Sequence, residues 1–418
     1  MPPPVPPHRV PWLPRLLLAA LLVAIVALAV WIWTLRVPNH WEDVARARRL
    51  LEAGRIDEAF EAVANIRDEG PGAAEGLTLA GRALLLRGNV SPARRVLERS
   101  LAIKREQPEA AKLLAAIYIA AGDGRRGIAM LQDAARHDPS DFRPWYAMGK
   151  VHHDLGELAE SIAAYRRALE RSPPDLEARE CRLGRARALL DANQAEQAGD
   201  DLNFLMEREQ TDPAILGLAA RRARELGELD QAALLANRAL ELDPDNLDAL
   251  VVRARIRFAN RDPLQARQDL LRAVRVNPND AGTLQLLAQV ERSLGLHDEA
   301  EKRIMEAEQA RNRLARIEQL THEIEQRPED PEPRWRLGEV ALEGRLYTLA
   351  YQCFQASLDL DPSFRPAREA LARLRSRDDF HEEEVMGTRP GLSPRTSPTA
   401  GPAFDRPNSS TSPTHSGP

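Results

Sequence analysis

The sequence predicts an all-α protein: an α-solenoid of about nine helical hairpins, preceded by one transmembrane helix and followed by a disordered tail. Three observations carry this expectation. The chain is 43% hydrophobic but only 5% aromatic, rich in the helix formers Ala, Leu, Arg and Glu and poor in the β-branched and aromatic residues that strands favour. Gly54, Gly88, Gly122 and Gly156 recur at intervals of 34 residues, and Gly227 and Gly295 lie 68 apart. Residues Leu16 to Leu35 form a run of twenty without a charge, bounded by Arg15 and Arg36.

A short Pro-rich segment, 1–15, opens the chain. The apolar run 16–35 follows and at 1.5 Å per residue would span roughly 30 Å, the thickness of a bilayer core. Trp12, Trp31 and Trp33 stand near its ends, where amphipathic rings suit headgroups. A cleaved signal peptide with Ala27-Leu28-Ala29 as its cleavage motif is the alternative, but the apolar run continues past that point. An uncleaved signal-anchor is therefore expected, giving a single-pass membrane protein. Flanking positive charge nearly balances, with Arg9 and Arg15 on one side and Arg36, Arg46, Arg48 and Arg49 on the other. The positive-inside rule narrowly favours an array outside the cytoplasm.

The periodic region covers 40–376, with hairpins beginning near 40, 74, 108, 142, 179, 213, 247, 281 and 331. A glycine ends the first helix in most units, and a proline such as Pro139, Pro173, Pro244 or Pro278 closes the second. Asn193 takes the turn position 34 residues before Gly227, a replacement that the left-handed conformation tolerates. Small residues recur where paired helices must approach: Gly81, Ala115, Gly149 and Ala186 in first helices, Ala59, Ala93, Ala198 and Ala232 in second ones.

On these residues the chain resembles the tetratricopeptide repeat (TPR) family. In the fourth unit the family pattern is matched by Trp145, Met148-Gly149, Tyr165, Ala168 and Pro173, with His152 and Ser161 departing from the usual Tyr and Ala. In the ninth it is matched by Trp335, Leu337-Gly338, Ala350, Phe354 and Pro362. The paired His152 and His153 fall inside this pattern. Adjacent helical residues point about 100° apart, whereas metal-binding pairs share a face at i, i+3 or i, i+4. A packing or surface role is expected for both.

After the eighth hairpin the period breaks. A long-helix insertion is expected near 308–327, carrying a heptad-like seam of Ala307, Ala310, Leu314, Ile317, Thr321 and Ile324. Packing on neighbouring repeats is the plainer reading of this seam; a homodimer contact is the sharper one and lacks support. Residues 366–376 read as a capping helix. From 377 to 418 the chain turns acidic and then Pro/Ser/Thr-rich, a composition that cannot bury a core.

The resemblance implies a concave groove lined by first helices and assigns one column of residues to it: Arg48, Arg82, Ala116, Lys150, Arg187, Arg221, Arg255, Gln289 and Glu339. Six are basic, namely Arg48, Arg82, Lys150, Arg187, Arg221 and Arg255, which points to acidic extended peptides held by bidentate Arg–carboxylate contacts. Arginine also recurs on second helices, at Arg99, Arg167, Arg238 and Arg272, so the column competes with a general abundance. A net charge of −5 argues against nucleic acid as a partner. Cys181 and Cys353 form no CxxC, and no phosphate loop, nucleophile elbow or metal-ligand spacing is present. No catalytic, cofactor-binding or metal residue is expected, and the chain reads as a non-enzyme. The leading function is a membrane-anchored scaffold or assembly protein; the alternative is a cytosol-facing, membrane-tethered regulatory adaptor that recruits an enzyme or protease.

Overall fold

The computed structural model describes residues 22–25, 39–377 and 380. The chain divides into two compact units, 1–110 and 111–418. Among the described residues there are no strands, and from Trp41 onward the helices come in pairs.

The first unit holds α1 (Trp41–Glu52), α2 (Ile56–Val63), α3 (Ala73–Leu86), α4 (Val90–Ile103) and the start of α5 (Pro108–Ala120). Its core gathers Val44, Ala47, Val63, Leu77 and Ala80, all buried. Gly81 lets α4 approach, since a Cβ there would lie 2.5 Å from Leu97 Cγ. Deeper in the same pair, the Ser100 hydroxyl donates to Ala74 O (2.8 Å) and pairs with Thr78 Oγ1 (2.9 Å), so the buried hydroxyls are satisfied.

The second unit continues with the rest of α5, then α6 (Gly124–His137), α7 (Arg143–Asp154), α8 (Leu158–Leu169), α9 (Asp175–Asp191), α10 (Ala198–Arg208), α11 (Pro213–Glu225), α12 (Leu229–Leu242), α13 (Leu247–Ala259), α14 (Pro263–Val276), α15 (Ala281–Ser293), α16 (His297–Gln326), α17 (Pro331–Glu343), α18 (Tyr347–Leu360) and α19 (Arg365–Arg375). The odd-numbered helices α5 to α17 are first helices of their hairpins. Asp212, Asn246, Asp262, Asp280 and Asp330 each cap the next helix by accepting a backbone N–H, several with proline directly after them. Asn246 also donates to Pro213 O (2.8 Å), tying one hairpin's cap to the preceding hairpin.

The turn between paired helices needs a left-handed residue, and Gly122, Gly156, Gly227 and Gly295 supply it with φ between 72° and 82°. Asn193 adopts φ 57° at the equivalent turn. Arg261 and Arg345 do the same in the seventh and ninth hairpins, at φ 60° and 56°, positions where a side chain costs about 1–2 kcal/mol against glycine. Ser161, the departure from the usual alanine, is fully buried and donates its hydroxyl to Gly149 O (2.8 Å).

Buried acids recur between helices, each held by two arginines. Asp201 accepts from Arg182 and Arg185, Asp269 from Arg253 and Arg257, and Glu291 lies against Arg267 and Arg303. The eighth hairpin's second helix runs unbroken through the expected insertion as the 30-residue α16. Its seam is used inside the chain at both ends: Ala307 and Ala310 pack on Leu284, and Ile324 on Leu337 and Val340, while Leu314 between them is 58% exposed.

The expectation of a single-pass membrane protein is corrected here. Among the described residues no helix is long and apolar enough to cross a membrane. Even α16, long enough to span a bilayer, carries charges along its whole length, each costly in hydrocarbon. The run 16–35 itself, apart from 22–25, and the tail beyond 377, apart from Phe380, lie outside the described residues.

Candidate protein-interaction face

Successive first helices of the second unit touch one another, α7 with α9, α9 with α11 and α11 with α13. Each second helix instead leans on the first helix of the following hairpin. The first helices α7, α9, α11 and α13 therefore lie side by side as one layer of this unit.

Of the six basic residues assigned to the groove, Arg48 and Arg82 belong to the first unit and the other four to the second. Lys150 is exposed, its ammonium 5.8 Å from the centre of the Tyr146 ring. Arg187 and Arg255 are exposed, and among the described residues neither has a hydrogen-bond or ion-pair partner. Arg221 is different: it is half-buried and already engaged. Its guanidinium donates to Asp191 (2.7 Å) at the end of α9 and to Glu225 (3.0 Å) one turn along α11, with Asp248 of α13 at 4.0 Å.

The network extends to α7 through His153, whose Nε2 lies 2.8 Å from Asp191 Oδ2. Asp154 beside it and Asp191 across from it hold the imidazole protonated, raising its pKa to about 9. Burial pushes the Asp191 carboxyl up, but the bonds from His153 and Arg221 outweigh it and leave its pKa lowered. Burial raises Asp248, against the opposing charges of Arg187 and Arg221. Arg224, lowered first by burial and then by the nearby charge of Arg255, completes the cluster. The result is a strip of alternating charge crossing four consecutive first helices, with exposed guanidiniums that make no salt bridge on α9 and α13 on either side of a paired one on α11.

The two histidines diverge: His152 Nδ1 bonds Glu157 (2.6 Å) in its own hairpin's turn, while His153 reaches the next hairpin. Among the described residues no group of three or more His, Cys, Asp or Glu side chains could hold a metal ion. A protonated His153 has no lone pair with which to act as a base at neutral pH.

Sequence reasoning missed Asp191, Glu225, Asp248 and Arg224. A signal was available for two of them. Asp191 and Glu225 follow Arg187 and Arg221 by four residues, the spacing that puts side chains on one helix face. Reading the basic column without its i+4 neighbours overstated the positive charge of the face.

Profiles described as tetratricopeptide repeat match residues 50–117, 112–175, 218–281 and 251–313. No curated protein matches the chain. Among solved structures, YrrB, described as a TPR protein with an unusual peptide-binding site, is 18% identical, covering 45% of this chain and 95% of its own, with a TM-score of 0.37. A tetratricopeptide repeat protein from Parabacteroides merdae is 17% identical over 60% of this chain and 98% of its own, with a TM-score of 0.42. The C-terminal part of a TPR repeat-containing protein from Cytophaga hutchinsonii is 14% identical over 58% and 99%, with a TM-score of 0.45.

Proposed function

Because this chain belongs to the tetratricopeptide repeat family, we propose that it is a protein-interaction scaffold whose second unit captures an extended acidic segment of a partner on its first helices. The observation that carries this reading is the pair of exposed guanidiniums, Arg187 on α9 and Arg255 on α13, that make no hydrogen bond or salt bridge among the described residues. Helices that pack side by side lie about 8–10 Å apart. Arg187 and Arg255, two helices apart, are thus separated by about 20 Å, which an extended chain covers in about six residues at 3.3 Å each. Arg221, between them, spends its charge on Asp191 and Glu225. The network thereby fixes the strip but does not attract a ligand. The segment that fits has acidic residues about six apart with neutral residues between, and Lys150 extends the site by a further helix.

Binding of a fluorescent peptide with two Glu residues six positions apart tests this. Arg187→Glu with Arg255→Glu is expected to weaken binding by about a hundredfold, since each charge-assisted bond contributes about 1.5–3 kcal/mol. Moving the two Glu residues to a spacing of three should weaken it as well. Equal affinity of the double variant and the unaltered chain would exclude this face.

A further inference from the structure

In a stack of repeats each hairpin touches only its sequence neighbours. The second unit contains an exception. The turn of the third hairpin, between α5 and α6, meets the ninth hairpin, built from α17 and α18, and the end of α16. Gly122 lies against it so closely that a Cβ there would be 3.1 Å from Leu337 Cδ2, 3.9 Å from Ile324 Cδ1 and 4.0 Å from Cys353 Sγ. Asp123 beside it is fully buried, with Arg334 Nη2 4.0 Å and Arg126 Nε 3.5 Å from its Oδ2. At the rim, Arg125 approaches Glu325 (3.6 Å) and Arg126 approaches Glu329 (3.7 Å).

The contact carries an ill-matched charge beside a close apolar approach made by one glycine. Asp123 Oδ1 accepts the Arg126 N–H (3.1 Å), but Oδ2 has no hydrogen bond, and Arg334 spends one terminal nitrogen on Pro328 O and Asp330 O. A buried oxygen without a partner costs about 1–3 kcal/mol. The rim pairs stand beyond hydrogen-bond distance and are open to solvent screening. Opening would leave every neighbour-to-neighbour hairpin interface intact, because those run through the sequence and not through this contact.

We propose that the junction of Gly122 and Asp123 with the ninth hairpin is a reversible clasp, which when closed joins hairpins three to nine around their first-helix face. A partner segment with bulky flanking domains then reaches that face only through the open form. The opening itself is independent of the peptide-capture reading; the control of access rests on it.

Cys353, at the clasp, and Cys181, remote from it on α9, provide native probes. Both are fully buried and burial pushes both thiols up to about 12. Modification by a maleimide in native buffer is expected to proceed about tenfold faster at Cys353, through local opening, than at Cys181, through larger unfolding. Arg125→Glu with Arg126→Glu should accelerate Cys353 by about a further tenfold and leave Cys181 unchanged, while Glu157→Gln, which removes the pair of Arg125 with the neighbouring hairpin and not that with Glu325, should leave both rates unchanged. Equal, slow rates at both cysteines, unaffected by the double variant, would overturn the clasp. For access, the acidic peptide described above is compared with the same peptide carrying a folded domain at each end. Slower association of the blocked peptide, limited at the Cys353 opening rate, supports the gate, and equal association rates exclude it. If neither peptide binds, the capture reading falls, and the cysteine rates alone decide the clasp.

Discussion

Asp201 and Asp123 are both completely buried acids of the second unit, and their surroundings differ in almost every other respect. Asp201 accepts three hydrogen bonds, from Arg182 (3.0 Å) and twice from Arg185 (2.7 Å each), between the two helices of one hairpin. Asp123 accepts one hydrogen bond, from its own helix's backbone, and faces Arg334 from too far for another. Burial alone therefore does not say whether a charge holds the fold. The first acid is satisfied by residues that are always adjacent, so it can be permanent. The second depends on a hairpin far along the chain, and the junction gains little by being closed.

The largest effect that tests this contrast is the loss of Asp201. Asp201→Ala leaves two half-buried guanidiniums facing each other and should lower the stability of the second unit by about 3 kcal/mol, read as a shift in the urea midpoint at unchanged slope. Asp123→Asn keeps a cap for α6 and removes an ill-matched charge, so its effect at neutral pH should stay within about 1 kcal/mol of zero. Comparable large losses from both would end the distinction.

What the sequence made readable follows the same line between neighbours and distant contacts. The 34-residue period located the turns because glycine there answers a local backbone demand, and Gly156 and Asn193 both show the positive φ that their types imply. Arg261 and Arg345 fill the same position without any compositional sign, since tertiary packing supplies the cost. Departures were absorbed locally too, as with Ser161, whose hydroxyl finds Gly149 O one helix away. The interaction face was half readable: Arg187 and Arg255 stand exposed, but Arg221 is spent on Asp191, an acid of the preceding hairpin. The approach of Asp123 to Arg334 left no trace, because no repeat period relates those two positions. It joins hairpins six units apart along the chain.

A medium-sized effect concerns acid titration, where Asp123 and Asp191 should move stability in opposite directions. Asp123 is raised, chiefly by burial, with Arg126 and Arg334 opposing and Glu325 adding to the rise. Its protonated form is favoured in the folded chain, so it contributes stability below about 3.8 that is lost as pH climbs from there through its raised value. Asp191 is lowered, burial being outweighed by His153 and Arg221. Its contribution is present above about 3.8 and lost as pH falls towards its lowered value. Stability measured from pH 3 to 7 in Asp123→Asn and Asp191→Asn should therefore diverge from the unaltered chain with opposite slopes. Parallel curves would mean that the two acids share one environment.

The smallest effect isolates the neutral-to-alkaline side of the same network. His153 is raised to about 9 by Asp154 and Asp191, against about 6.5 in the unfolded chain. The folded state holds the proton more tightly, so the contribution of His153 is complete below about 6.5 and disappears as pH rises through 9. The side chain is 27% exposed, so solvent screening trims the effect to roughly 1 kcal/mol or less. The expected result is a shallow decline in stability between pH 6.5 and 9 that His153→Gln abolishes, while His152→Gln, whose partner Glu157 sits in a separate turn, leaves it in place. Because the charge facing Asp191 from His153 is lost when the imidazole is neutral, Arg221 must then balance that carboxylate alone. Arg221→Gln combined with His153→Gln should consequently cost more than the two single changes added, and strict additivity would show that the strip across the first helices is a set of separate pairs and not one network.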